Sequence, residues 1–236
     1  MRTLLCFINI CLLGGLLNLQ AQEDTITITE PIYKEKYGLR IGGDVFKLAR
    51  SFYDEDYTGF EVNADFRLNK KIYIAGEIGF EEKITTTDFL RSTASGSYLR
   101  GGIDYNLYQN WLDMENMIFA GFRIGAATFS QDINGFTIYD VNNLFWNQQF
   151  SSNEGEKFSN LTALWTEIIL GTKVQVLPNL YVGFNVQLKF LLSNTKPSNF
   201  ENLYIPGFNR TYSNSSFGAG FGYNISYLIP IYKRDK

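Results

Sequence analysis

Residues 59–80, GFEVNADFRLNKKIYIAGEIGF, alternate with a period of two, and this constrains the fold more than anything else in the chain. Phe60, Val62, Ala64, Phe66 and Leu68 are interleaved with Glu61, Asn63, Asp65 and Arg67. After Asn69, Lys70 and Lys71, the residues Ile72, Ile74 and Ile78 are interleaved with Tyr73, Ala75 and Glu77. Successive side chains of a strand point to opposite faces, so the stretch reads as a β-hairpin with one apolar and one charged face. Similar alternation at 37–46, 97–107, 117–127, 164–176, 180–190 and 217–229 brings the expected strands to eight. No segment reads as a helical period or as an N-cap followed by an amphipathic run. The expected class is therefore all-β, and an even strand number suits an eight-stranded antiparallel up-and-down β-barrel with both ends on one side.

Alternation alone does not say whether the charges face bulk water around a soluble barrel or the lumen of a barrel in lipid. Connection lengths bear on the choice. The links at 69–71 and 177–179 are tight and 108–116 is modest, whereas about 47–57, 81–96, 128–163 and 191–216 read as long. Short and long links alternate, as in outer-membrane barrels with short periplasmic turns and long external loops. Composition of the charged face bears on it too, because that face carries Gly42, Gly79, Gly102, Gly121, Gly125, Gly171, Gly183, Gly218, Gly220 and Gly222. Glycine weakens a water-facing strand for no gain. Inside a narrow barrel it makes room for long neighbours.

The charges are accordingly assigned to the lumen of a transmembrane barrel. Arg40, Arg67, Arg100, Arg123, Lys173 and Lys189 face Asp44, Glu61, Asp65, Glu77, Asp104 and Glu167. Unpaired charges in so narrow a space would cost several kcal/mol each, so hydrogen-bonded pairs are expected. Two roles fit such a network: a salt-bridged plug that holds the barrel shut, which the balance favours, or a gated proton or ion path.

The first residues, MRTLLCFINICLLGGLLNLQAQ, combine an early Arg, an uncharged apolar run and Ala21 before Gln22. They read as a signal peptide over 1–21; a retained membrane helix is the alternative, but the run is short for a span. Both cysteines, Cys6 and Cys11, fall inside the run, so the mature chain of roughly 215 residues has no disulfide to rely on. Residues 22–36 read as a periplasmic lead-in, 37–232 as the barrel and 233–236 as a short periplasmic tail. The formal net charge of −3 and the lack of a basic stripe argue against nucleic acid as a partner. Aromatic residues make up 16%, which suits a chain with many positions at an apolar–polar boundary.

The chain contains no histidine, which removes Ser-His-Asp catalysis and His-bound metals, and the mature part has no thiol. Small outer-membrane barrel enzymes rely on histidine, so no catalytic residues, cofactor or metal site is assigned. YDEDY (53–57) reads as a solvated acidic loop tip, with a divalent cation shared with lipopolysaccharide as the alternative. The third and fourth external loops are rich in aromatics and Asn. Phe145, Trp146, Tyr204 and Phe208 there are candidates either for contact with a protein partner or for a seal over the barrel's mouth.

The last strand, FGAGFGYNISYLIPIY, spaces Gly222, Ile225 and Tyr227 like the β-signal read by the barrel assembly machinery. YGLRIGGD, NWLDMENMIFAGFRIGAATFSQ, LTALWTEIILGTKVQV and the segment from LLSNTKPSNF onward resemble a small outer-membrane barrel family of unknown function found in Bacteroidota. The architecture is similar to OmpX- and OmpA-type barrels, by analogy alone. The resemblance implies an outer-membrane location, outer-membrane lipid and lipopolysaccharide as surroundings, and no assigned catalysis. The expected function is a non-enzymatic structural or interaction subunit of an envelope complex, with other outer-membrane proteins or lipoproteins as partners and the outer-membrane protein assembly machinery as the complex named. A small channel or a lipid- or ligand-binding barrel is the alternative.

Overall fold

The computed structural model describes residues 34–108, 115–138, 150–152, 155–197, 200–212 and 214–235. In chain order its elements are β1 (Lys34–Asp44), α1 (Val45–Tyr53), β2 (Tyr57–Arg67), β3 (Ile72–Thr86), β4 (Leu90–Asn106), β5 (Met117–Ile138), β6 (Phe150–Ser152), β7 (Glu156–Leu177), β8 (Leu180–Asn194), β9 (Tyr204–Ile205), β10 (Asn209–Arg210) and β11 (Phe217–Asp235). Among the described residues the chain is all-β apart from one helix. Eight strands, β1 to β5 with β7, β8 and β11, form an antiparallel sheet that closes on itself through the β1–β11 pairing. β6 extends the edge of β5, and β9 and β10 form a separate two-stranded piece.

Alternation in the sequence becomes alternation in exposure. Along β7, Trp165, Glu167 and Ile169 are buried, while Leu164, Ile168 and Leu170 on the alternate positions are exposed. The strands run further than the pattern suggested, because β1 starts at Lys34 and β11 continues to Asp235, directly opposite. The stretch 81–96, expected as a long loop, is the continuation of β3 and β4. A three-residue turn at 87–89 joins them, closed by Thr87 N donating to Leu90 O at 2.8 Å. Apart from Ile84, outward positions there lose their large apolar residues, so the sequence resembles a loop although the ladder continues.

The helix is the main departure from expectation. VFKLARSFY places Val45, Leu48 and Phe52 on one face and Lys47, Arg50 and Ser51 on the other, a helical spacing. Asp44 caps it, its Oδ1 accepting from Lys47 N at 3.1 Å. Because Asp44 is also the last inward residue of β1, the strand pattern hid the cap. The pairing explains where the helix sits. β1 holds β11 as far as Asp44↔Asn224 and β2 as far as Gly43↔Val62. Beyond those points β2 and β11 continue, and α1 packs against both. Its Ser51 Oγ accepts from Gly59 N at 2.8 Å on β2, and its Phe46 ring lies 4.8 Å from that of Phe221 on β11.

Two adjacent glycines in β4 separate the two sides of the wall. A Cβ on Gly102 would stand 1.9 Å from Phe122 O, whereas one on Gly101 would meet nothing within 4 Å. Gly102→Val is expected to lower stability by at least ~1–3 kcal/mol through overpacking, and Gly101→Val to change it by less than ~1 kcal/mol. Equilibrium urea unfolding of both variants checks this, and equal losses would refute the assignment of sides.

Candidate functional site: the charged interior

Strand alternation directs every second side chain into the ring, and the twelve charged residues of the sequence pattern all turn that way. Eleven are buried outright, and Glu77 is 11% exposed. They form layers. Nearest the short turns, Arg67 Nη2 meets Glu35 at 2.9 Å and its guanidinium lies over the Tyr37 ring. One layer on, Asp65 takes Arg40 Nε at 2.7 Å and Lys173 Nζ at 2.5 Å, and Arg40 stacks between Tyr73 and Tyr181. In the middle, Arg123 bridges Glu77 at 3.2 Å and Asp104 at 2.8 Å. Above it, Arg100 joins Glu61 at 2.8 Å to Glu167 at 3.1 Å, and Glu167 also accepts from Trp165 Nε1 at 2.6 Å. Asp44 stands apart as the helix cap.

Small residues make these long side chains fit. A Cβ on Gly125 would lie 2.3 Å from the Trp165 ring, and one on Gly121 would lie 2.3 Å from Asp104 Oδ1. Where the charges converge, the interior leaves a polar cavity of about 30 Å³, lined among others by Glu61, Glu77, Arg100, Asp104 and Arg123.

Three participants were not in the sequence assignment. Lys47, on α1, reaches in to Glu61 at 2.6 Å and Glu81 at 2.8 Å and also donates to Tyr98. Glu81 had been placed in a loop, and Glu35 in the lead-in. A helical spacing starting at Asp44 would have revealed Lys47. Extending the two-residue period of β3 by one step beyond Gly79 would have revealed Glu81.

For Tyr204 and Phe208 the structure agrees with the second of the two readings, the seal, and not with exposed contact: they are 7% and 1% exposed because their loop turns into the ring. Tyr204 Oη and Gly207 N both donate to Glu81 Oε2, at 2.8 and 2.9 Å, and Lys189 Nζ donates to Gly207 O at 2.6 Å. Phe208 packs edge-on against Trp165 within a cluster that includes Tyr98, Phe129, Leu161 and Ile205. Gly207 has φ +78°, and a Cβ there would lie 2.5 Å from the Tyr98 ring, so the turn requires glycine twice over. Burial of aromatic area against an apolar cluster outweighs exposure of these rings to water. The segment packs into one end of the ring. Phe145 and Trp146 lie outside the described residues.

At the other sites, Ile225 and Tyr227 point outward and are exposed, whereas a Cβ on Gly222 would meet Asp44. In YDEDY, Asp54 Oδ2 accepts from Arg50 Nε at 2.9 Å and lies 3.4 Å from Lys83. Desolvation is the largest single influence and raises its pKa, but Arg50, Lys83 and the Asp56 N–H together outweigh it and hold the carboxyl below the usual range. Among the described residues no group of three or more acidic, His or Cys side chains is arranged to hold a metal.

Removing one partner from a buried ion-pair network costs ~3–5 kcal/mol, against under ~1 kcal/mol for an exposed pair. Glu61→Gln, which leaves Lys47 and Arg100 facing a neutral amide, is expected to lower unfolding stability by about 3 kcal/mol. Lys157→Gln, in the exposed pair with Asp132, should change it by less than ~1 kcal/mol. Urea titration of the two variants measures the difference.

Residues 3–234 match the family described as Domain of unknown function (DUF6048), and the chain belongs to that family. No curated protein matches it.

Proposed function

We propose that this chain is an integral outer-membrane β-barrel of the Bacteroidota type with a permanently filled interior, and that it serves as a structural and interaction subunit of an envelope complex. One observation carries the reading. Every strand of the ring, and α1, presents large apolar side chains outward, among them Ile74, Leu99, Phe122, Ile168, Leu188 and Phe52 at 50 to 89% exposure, while the charges lie inside. Soluble monomers rarely expose contiguous apolar patches beyond a few hundred Å². A lipid-facing wall requires them, and closure removes the unpaired edges that lipid would not tolerate. Strands of up to 22 residues exceed the ~9–11 needed to span a bilayer and leave length to project beyond it.

The filled interior argues for a non-conducting role. A cavity of about 30 Å³ holds a water or two, at ~10–15 Å³ each, and the segment around Tyr204 to Phe208 packs into one end. Catalysis is equally hard to place. Glu61, Asp65, Glu77, Asp104 and Glu167 each have a cation within 3.2 Å, and no His or Cys accompanies them. What remains for contact is the outer surface and the protruding strand ends. The complex proposed first is the outer-membrane protein assembly machinery, read by co-purification from detergent-solubilised outer membrane: stoichiometric barrels or lipoproteins support it, and a clean monomer counts against it. A ligand-binding reading is favoured by a second, larger cavity.

In planar bilayers the purified chain is expected to give no sustained conductance, and Glu77→Gln to lower the thermal transition while still not conducting. A stable, strongly conducting Glu77→Gln variant would defeat the plug. The chain should also stay with outer membranes after a urea wash; release without detergent would refute the membrane reading.

A further inference from the structure

The wall of the ring is not uniform. Strand ladders join it all round except where α1 replaces the end of β1. There α1 is hydrogen-bonded to β2 through Ser51 and Gly59. Among the described residues no hydrogen bond joins α1 to β11. That side is closed by the Phe46 ring against Phe221 and Tyr223, at 4.8 and 6.3 Å. Ring packing separates more readily than a ladder of backbone hydrogen bonds.

A cavity of about 820 Å³ opens at this seam, within the range of ~300–1,000 Å³ that binds small molecules. Its lining crosses the wall. Val186 and Phe221 belong to the outer apolar surface and the half-buried Phe46 packs on Phe221, whereas Lys47, Lys189 and Glu81 belong to the charged interior. The balance of charge on the lining is positive: Lys47, Arg50, Lys83, Lys189 and Arg210 against Asp56 and Glu81. Glu81 is already taken by Lys47, Tyr204 and Gly207. Lys83 reaches Asp54 at 3.4 Å, and Arg210 lies over the Tyr212 ring at 5.3 Å. Both retain donors beyond those contacts.

We infer that the α1–β11 seam is a lateral binding site for an anionic, phosphate-bearing lipid of the surrounding leaflet. Its acyl chain lies along Phe46, Val186 and Phe221, and its phosphate meets Lys83 and the exposed Arg210 at the mouth. The helix supplies the two requirements together, an apolar outer stripe continuous with the lipid-facing wall and a basic inner face. The inference rests on the membrane-embedded reading above.

The test uses the full chain in detergent, with native mass spectrometry to count retained lipid. Phosphatidylglycerol and lipid A are the anionic probes, phosphatidylcholine the zwitterionic control and inorganic phosphate the competitor. One anionic lipid per chain is expected, held about tenfold more tightly than phosphatidylcholine. The pair Lys83→Glu and Arg210→Glu should weaken retention by about tenfold with the thermal transition unchanged. A bismaleimide staple between Phe46→Cys and Phe221→Cys should block uptake, relative to each single variant capped separately. Preference between the two anionic probes tells which leaflet lipid occupies the site. Equal retention of phosphatidylcholine, retention untouched by the charge reversals, or displacement by inorganic phosphate alone would overturn the inference. These outcomes are distinct from failure of the membrane reading, which appears as release of the chain by urea without detergent.

Discussion

Charges enclosed in a ring only wide enough for side chains must neutralise one another, and the rest of this structure follows from that condition. Arg100 takes Glu61 on one side and Glu167 on the other, and Asp65 takes both Arg40 and Lys173. Such pairs repay desolvation only when geometry is tight and further hydrogen bonds complete each group. Trp165, Tyr98 and Tyr57 supply those bonds to Glu167, Glu61 and Glu81. Their bulk in turn requires small residues beside them, which is why glycine and charge share one face of the strands.

Closure at the mouth obeys the same condition. Glu81 carries a charge at the upper limit of the network, where the neighbouring strands no longer provide a cation. Lys47 comes from the helix, and Tyr204 and Gly207 come from the inserted segment. The segment and the helix are therefore not appendages to a finished ring. Each completes a carboxylate that would otherwise be buried with too few partners, and each covers apolar or aromatic surface as it does so. The helix also carries the outer apolar character of the wall across the one place where strand pairing stops, and this gives the seam its mixed lining.

Much of this was legible in the residues. Eight strands, their antiparallel order, the inward face and the twelve charges on it follow from a two-residue period and from glycine placed opposite large apolar side chains. Membership of a family of unknown function agrees with the resemblance at that level. The helix was missed because Asp44 serves both the strand and the cap, and nine residues offer barely more than two turns of helical spacing. The hairpin tip at 87–89 was missed because polar residues at outward positions look like a loop when the register cannot be seen. For Tyr204 and Phe208 contact and seal could not be separated in the sequence, because a loop rich in aromatics and Asn has the same composition whether it faces a partner or turns inward.

The sequence by itself determined which residues share a face, since alternation is a local property of extended chain and needs no partner strand to be read. It also determined that the chain carries no histidine of its own. Tertiary structure alone decided which charge meets which, where Lys47 and Glu81 belong, and that the aromatic loop turns into the ring. Those contacts join residues up to 126 positions apart, as between Gly207 and Glu81, and no local period records so distant a neighbour.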